Sequence, residues 1–360
     1  MSIFSSEIPL SLYIHIPWCV RKCPYCDFNS HEARQSIPED LYVETLLRDL
    51  DEQLIYLGNR PIVSIFFGGG TPSLMTPGAI EKILQGVQQR VRFSDKIEIT
   101  LEANPGTVDE LRFQGFRRAG VNRLSIGVQS LQDEKLQALG RIHNREYALR
   151  AIDAAINAGF DNFNLDLMHG LPNQSLEDAC QDVQDALQFQ PPHLSWYQLT
   201  IEPNTFFHHQ PPVLPQDDIL WDIQERGKCI LQAAGFKNYE ISAWAKPSHE
   251  CVHNRNYWEF GDYLGIGAGA HSKITHLDQQ QIIRHSQLKN PRDYLDPKNT
   301  LTVTKTVLQE KDLPFEFMLN GLRLTRRFPN SIFVERTGLG LNKILNQLEK
   351  KKKKGFITYE

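Results

Sequence analysis

The sequence predicts an α/β protein: a partial (β/α)6 TIM-like barrel with a C-terminal helical, winged-helix-like domain. Three observations carry this prediction. Six short runs rich in β-branched and aromatic residues alternate with helix-patterned segments over roughly the first 200 residues, which argues for parallel strands joined by crossover helices. Most of the runs end in polar residues or glycine: His15, Gly68 to Thr71, Glu102, Gln129, Asp166 and Thr200. In parallel α/β folds a site forms at that C-terminal rim. After about residue 300 the pattern changes to short helices. An open six-stranded barrel and a closed eight-stranded one both fit; only six units are clear, so the partial barrel is taken.

Residues 11–16 (SLYIHI) read as the first strand, stopped by Pro17. Leu41, Leu46, Leu47, Leu50, Leu54 and Leu57 recur at helical spacing and end at Gly58. IVSIFF (62–67) is a continuous apolar run, as suits a strand buried on both faces, and GGGTP (68–72) ends it. Strands follow at 97–103, 123–129, 162–168 and 194–200, with helices at 77–91, 108–119, 133–139, 145–158 and 175–189. EPNTFFHHQPPVLP (202–215) is a Pro-rich crossing segment or lid. A helix over 216–234, a strand at 239–245 and an aromatic-rich loop, HNRNYW (253–258), come next. The expected domains are a barrel over 1–235, a connecting region over 236–300 that carries HNRNYW, and a helical domain over 301–360. GFITYE (355–360) reads as the start of a β-wing, so the C-terminus is expected to be cut short.

Bulk properties exclude several classes. With 41% apolar and 23% charged residues, the 360-residue chain is not a disordered one. A net charge of −4 gives no drive toward nucleic acid, and none is expected as a partner. The N-terminus lacks the basic and apolar regions of a signal peptide, and no apolar run reaches membrane-spanning length. A cytoplasmic location is expected.

Three of the six cysteines stand together, Cys19, Cys23 and Cys26, in a C-x3-C-x2-C array after the first strand. Without an export signal this is a metal site, not a disulfide framework. Zinc would need a fourth ligand, His15 or His31. An iron–sulfur cluster would take one cysteine on each of three irons and leave the fourth iron free. Glycines 68–70 would let backbone approach a ligand, or simply make a tight turn. The spacing leaves both metals open.

The cysteine array followed by GGGTP after the second strand resembles the radical S-adenosylmethionine superfamily. That resemblance implies a [4Fe-4S] cluster whose open iron is chelated by S-adenosylmethionine, with reductive cleavage giving a 5′-deoxyadenosyl radical. GGGTPS, LEANP, NRLSIGVQS, NLDLMHGLP and HNRNYW are similar to the branch that holds oxygen-independent coproporphyrinogen III oxidase and the HemW haem chaperones. The likeness covers nearly the whole chain. It implies that Cys19, Cys23 and Cys26 ligate the cluster. It places Tyr13 beside the methionine end of S-adenosylmethionine, Tyr25 by the adenine, and Gly69, Gly70 and Thr71 at the amino group. Glu102 would bind the amine or the ribose hydroxyls. Gln129, Arg141 and Asp166 match further S-adenosylmethionine contacts, including those to a second copy. Without the resemblance, Glu102 and Asp166 could be strand-end caps, Gln129 a satisfied buried amide and Arg141 a solvated helix-end charge.

The oxidase motif continues to a fourth cysteine where this chain has Phe28. Phe28, HNRNYW and the short lead before Cys19 favour the chaperone side. Haem is then the expected ligand, with His253 as axial donor and Cys251, His208 or His209 as competitors; His253 could instead lock its loop to the barrel. Haem-accepting respiratory enzymes are the implied partners, and a homodimer is left open. The five lysines at 350–354 read as a solvated helix end, with peripheral contact to acidic membrane lipids as the alternative. The rival functions are radical oxidative decarboxylation of coproporphyrinogen III and a zinc-stabilised binding module.

Overall fold

A computed structural model describes Phe4 and residues 8–356. The expected β-wing at 355–360 lies largely outside the described residues. Twelve strands form one open sheet: β1 (Leu10–Ile16), β2 (Ile62–Gly69), β3 (Phe93–Ala103), β4 (Arg123–Gln129), β5 (Phe163–His169), β6 (His193–Gln198), β7 (Lys237–Glu240), β8 (Ala243–Ala245), β9 (Asp262–Ile266), β10 (His271–His276), β11 (Gln281–Gln287) and β12 (Thr302–Val307). Their order is β12-β11-β10-β9-β1-β2-β3-β4-β5-β6-β8-β7. Strands β1 to β6 pair in parallel in sequence order, so the six expected units are all present. The sheet does not close. β9 adds in parallel to the free side of β1, and β8 adds antiparallel to β6.

Local chemistry sets the crossover helices. Thr76 caps helix Pro77–Gln88, with Pro77 in its first turn. Asp109 caps Glu110–Ala119, and Gly120 closes that helix at φ 111°. Ser175 and Asp178 form a capping box on Leu176–Leu187. Each helix buries an apolar stripe on the outer face of the sheet; Leu12, Ile14, Ile65, Phe67 and Leu101 meet Leu46, Ile80, Ile83 and Phe113 in one core. A second core, Phe260, Phe317, Phe333 and Ile344, joins the C-terminal helices Leu313–Gly321, Ser331–Thr337 and Asn342–Lys353 to the barrel.

Three expectations change. The strand expected at 239–245 is two antiparallel strands, β7 and β8, with Ile241 and Ser242 between them. HNRNYW is not a loop: Val252–Trp258 is helical. Its residues pack against β1, β2 and β9, and carboxylate Glu98 on β3 accepts the backbone N–H of Val252 and His253 at 3.1 Å each. The helix lies across the barrel near the N-terminal halves of the strands and forms its floor. The sixth strand stops at Gln198, so Thr200 is exposed and off the rim. Among the described residues no helix is long and apolar enough to cross a membrane.

Candidate functional site

β1 and β2 end side by side, with Ile16 paired to Gly69. The cysteine loop leaves the top of β1 and the glycine run leaves the top of β2, so both meet at one corner of the rim. There the backbones pack too closely for side chains. A Cβ on Gly70 would lie 2.4 Å from the Trp18 carbonyl oxygen, and one on Gly69, at φ 116°, would lie 2.5 Å from the His15 ring. Gly70 N–H donates to Ile16 O and Thr71 N–H to Trp18 O, both at 2.7 Å. Protein packing alone therefore demands these two glycines.

Cys19, Cys23, Cys26, Tyr25, Gly69, Gly70, Thr71, Glu102, Gln129, Arg141 and Asp166 line one cleft. Eleven of the thirteen residues picked out in the sequence thus converge there; Tyr13 and His253 line an inner cavity beneath it, which shares Glu102 and Asp166 with the cleft. Arg141 is not a solvated charge. Its Nη1 lies 3.4 Å from both Cys23 Sγ and Tyr25 Oη, and its Nη2 donates to Gly127 O at 3.1 Å. Phe207, on the Pro-rich segment, packs 6.3 Å from Tyr25, and its N–H donates to Pro24 O. That segment braces the cysteine loop. His208 and His209 on it are exposed.

Burial sets the electrostatics. It raises Glu102 to about 8, with Asp166 adding to the shift and the Gly69 N–H opposing it. It also raises Asp166, against hydrogen bonds from Asn164 and Ser125. Burial pushes the Cys19 thiol up to about 11, helped by Cys26 and Cys23. Gln129 adopts φ 68°, a left-handed backbone that is unusual without glycine, and its Oε1 accepts from Tyr197 Oη at 2.8 Å. Strain of this kind gathers where a side chain must be aimed.

The donor set fits a cluster better than zinc. His15 spends its ring on Tyr13 Oη and Asn29 O, at 3.0 and 2.9 Å, and His31 Nε2 faces Asn29 Oδ1 at 3.3 Å. Both fourth-ligand candidates are thus engaged elsewhere. Among the described residues no three His, Cys, Asp or Glu side chains are disposed around a single ion. A cubane takes its three thiolates on three different irons and asks for no such point.

His253 is 2% exposed. Its ring stacks on Phe66 at 5.0 Å, its Nδ1 is 3.0 Å from Ser64 Oγ, and its Nε2 has no hydrogen-bond partner. Burial, then the Arg123 charge, pulls it down to about 3, so the ring is neutral. His253 and Tyr257 sit one helical turn apart, and both line the inner cavity. Cys251 does not; its Sγ donates to Glu98 at 3.5 Å and burial raises it to about 12.

On β4 to β6 the sequence reading took Gln129 and Asp166 and missed Arg123, Ser125, Asn164, Ser195 and Tyr197, all of which line these cavities. Strand parity was the available signal. Arg123, Ser125, Gly127 and Gln129 alternate along β4, and period-two alternation puts them on one face.

Known proteins share this arrangement. A profile of the Radical SAM superfamily matches residues 13–186, and one of the HemN C-terminal domain matches 308–360. The Escherichia coli protein named heme chaperone HemW is 52% identical over 97% of this chain and 92% of its own length. The chain belongs to the HemW family of radical SAM proteins. The Haemophilus influenzae protein of the same name is 51% identical over 95% of this chain and 89% of its own. Among solved structures, coproporphyrinogen III oxidase (HemN) from Escherichia coli, described as a radical SAM enzyme, superposes with a TM-score of 0.82 at 24% identity, over 98% of this chain and 85% of that one. That likeness shows the fold: a partial barrel with a C-terminal helical domain.

Proposed function

We propose that the chain is a haem chaperone that carries a [4Fe-4S] cluster and S-adenosylmethionine and passes haem to haem-dependent respiratory enzymes. The observation that carries this reading is the convergence of three thiols, Glu102, Gln129, Arg141 and Asp166 on one cleft, with a neutral histidine in the cavity below. The names of the HemW relatives supply the cargo.

Cys19, Cys23 and Cys26 would hold the cluster, and Arg141 would steady Cys23 and Tyr25 from behind. When bound, the cluster and S-adenosylmethionine supply one-electron reductive chemistry. Gly69, Gly70 and Thr71 offer backbone to the cofactor's amino acid end, while Glu102 and Asp166 accept its donors. His253 would offer haem iron its Nε2, left unprotonated because Ser64 faces the opposite nitrogen.

Anaerobic reconstitution tests the reading. About four irons and four sulfides per chain, a Soret band on haem addition, and no protoporphyrinogen IX from coproporphyrinogen III are expected. A colourless protein with one zinc, or formation of protoporphyrinogen IX, overturns it.

A further inference from the structure

The inner cavity contains a cation that nothing above uses. Arg123, the first residue of β4, is 2% exposed and lines the cavity. Its Nη1 reaches only Thr100 Oγ1, at 3.5 Å, and its Nε is buried without a hydrogen-bond partner. The nearest carboxylate, Glu98, stands 3.9 Å from Nε, beyond hydrogen-bond reach. Glu98 spends its oxygens on the N–H groups of Val252 and His253 and on the Cys251 thiol. It balances the arginine's charge but leaves most of its five donors without acceptors. Of these donors Nε is the one fully buried unmade, and such burial is costly.

Apart from His253, whose Nε2 is also unpartnered, much of the polar wall satisfies itself. His193 uses both ring nitrogens, on Asn164 Oδ1 at 2.6 Å and Tyr239 Oη at 2.8 Å. Asn164 Nδ2 donates to Ser125 Oγ and Asp166 Oδ1, and Ser195 Oγ donates to Asn164 Oδ1. Glu102 and Asp166 stand at the opposite, upper side, where burial favours their neutral forms. Above the cavity, Tyr13, Tyr257 and Tyr263 line a wider cleft, and the first two border both spaces.

We propose that Arg123 is a receptor for a carboxylate on the barrel floor, and that the carboxylate is a propionate side chain of the bound tetrapyrrole. This rests on the reading that the barrel takes a tetrapyrrole. The guanidinium fork matches a carboxylate bidentately, and the buried setting strengthens such a pair.

The test titrates wild type and Arg123→Met with haem and with haem dimethyl ester, which keeps the iron and the ring but has no anionic arm. Wild type is expected to prefer the diacid by about tenfold or more, and Arg123→Met to bind both alike, with ester affinity unchanged. Arg123→Met that keeps the wild-type preference overturns the proposal. So does equal affinity of wild type for acid and ester, a comparison that needs no variant to fold. His253→Ala, titrated alongside, separates the two claims. Its failure to alter the Soret band strikes at the axial-ligand reading and leaves the acid-to-ester ratio as the measure of Arg123. Wild type that binds neither porphyrin sinks both.

Discussion

Ser64 Oγ lies 3.0 Å from His253 Nδ1 and gives its own proton to Ser11 Oγ at 2.7 Å. Its lone pair is therefore what faces the imidazole, and Nδ1 must carry the histidine's proton. Ser11 also accepts from Asn256 Nδ2 at 3.0 Å, three residues along the same helix as His253. The relay leaves Nε2 as a buried lone pair without a hydrogen-bond partner. Two serines on neighbouring strands thus decide which nitrogen is available to a metal.

Ser64→Ala is expected to lower haem affinity by about 10- to 100-fold and to broaden the Soret band, as loss of an orienting partner does for a metal-bound imidazole. His253→Ala should remove the band's shift altogether. Absorption titration checks both. Wild-type affinity and spectrum in Ser64→Ala would dismiss the relay.

Glu102 makes a pH prediction. An acid whose folded value lies near 8, against 4.5 when free, binds its proton more tightly in the native state. Its contribution to stability is therefore greatest below the free value and is lost as pH rises toward about 8. The melting temperature of the ligand-free protein should fall across that window, and Glu102→Gln should flatten the fall. Scanning calorimetry at several pH values checks this; equal slopes in the two proteins would contradict it.

Gly70→Ala forces a Cβ to within 2.4 Å of the Trp18 carbonyl. Neither backbone can retreat without breaking the 2.7 Å bonds from Gly70 and Thr71 to Ile16 and Trp18. A loss of about 3 kcal/mol is expected, at the upper end for overpacking, together with poor cluster incorporation. Chemical denaturation and iron content measure the two effects. An alanine variant of native stability would show that the corner is looser than its contacts.

Asp262 anchors the far end of the floor helix. It is fully buried and accepts from Lys273 at 3.0 Å, Arg60 at 2.7 Å and both donors of Thr275. Its own carbonyl holds Asn256. Asp262→Asn strands two cations and should cost about 3–5 kcal/mol. Burial alone would raise this carboxyl, but the Lys273 and Arg60 charges win and hold it below the usual value. Its stabilisation is accordingly present at neutral pH and lost as pH falls through that depressed value. Urea titration at pH 7 and in acid checks both statements.

Much of this was legible in the chain. Strand and helix alternation, glycine stops and caps are local, so the six parallel units could be picked out by position; the eleven cleft residues followed from the motifs' resemblance to the family. The reading failed where one segment's conformation depended on a distant partner. HNRNYW has loop-like composition, yet Glu98, more than 150 residues away, caps it as a helix. Arg123 looked like an unremarkable strand start, because its lack of partners exists only once the barrel surrounds it.

The sequence by itself determined the cysteine array, its place after β1, the glycine corner and the family. Each is a matter of spacing along the chain, and spacing survives unfolding. Only the tertiary structure decided that two glycines are demanded by the Trp18 backbone and the His15 ring, that Arg141 lies behind Cys23, and that His253 is neutral with an unpartnered Nε2. Those facts depend on which groups lose water and which find a partner, and both are set by contacts between strands far apart in the chain.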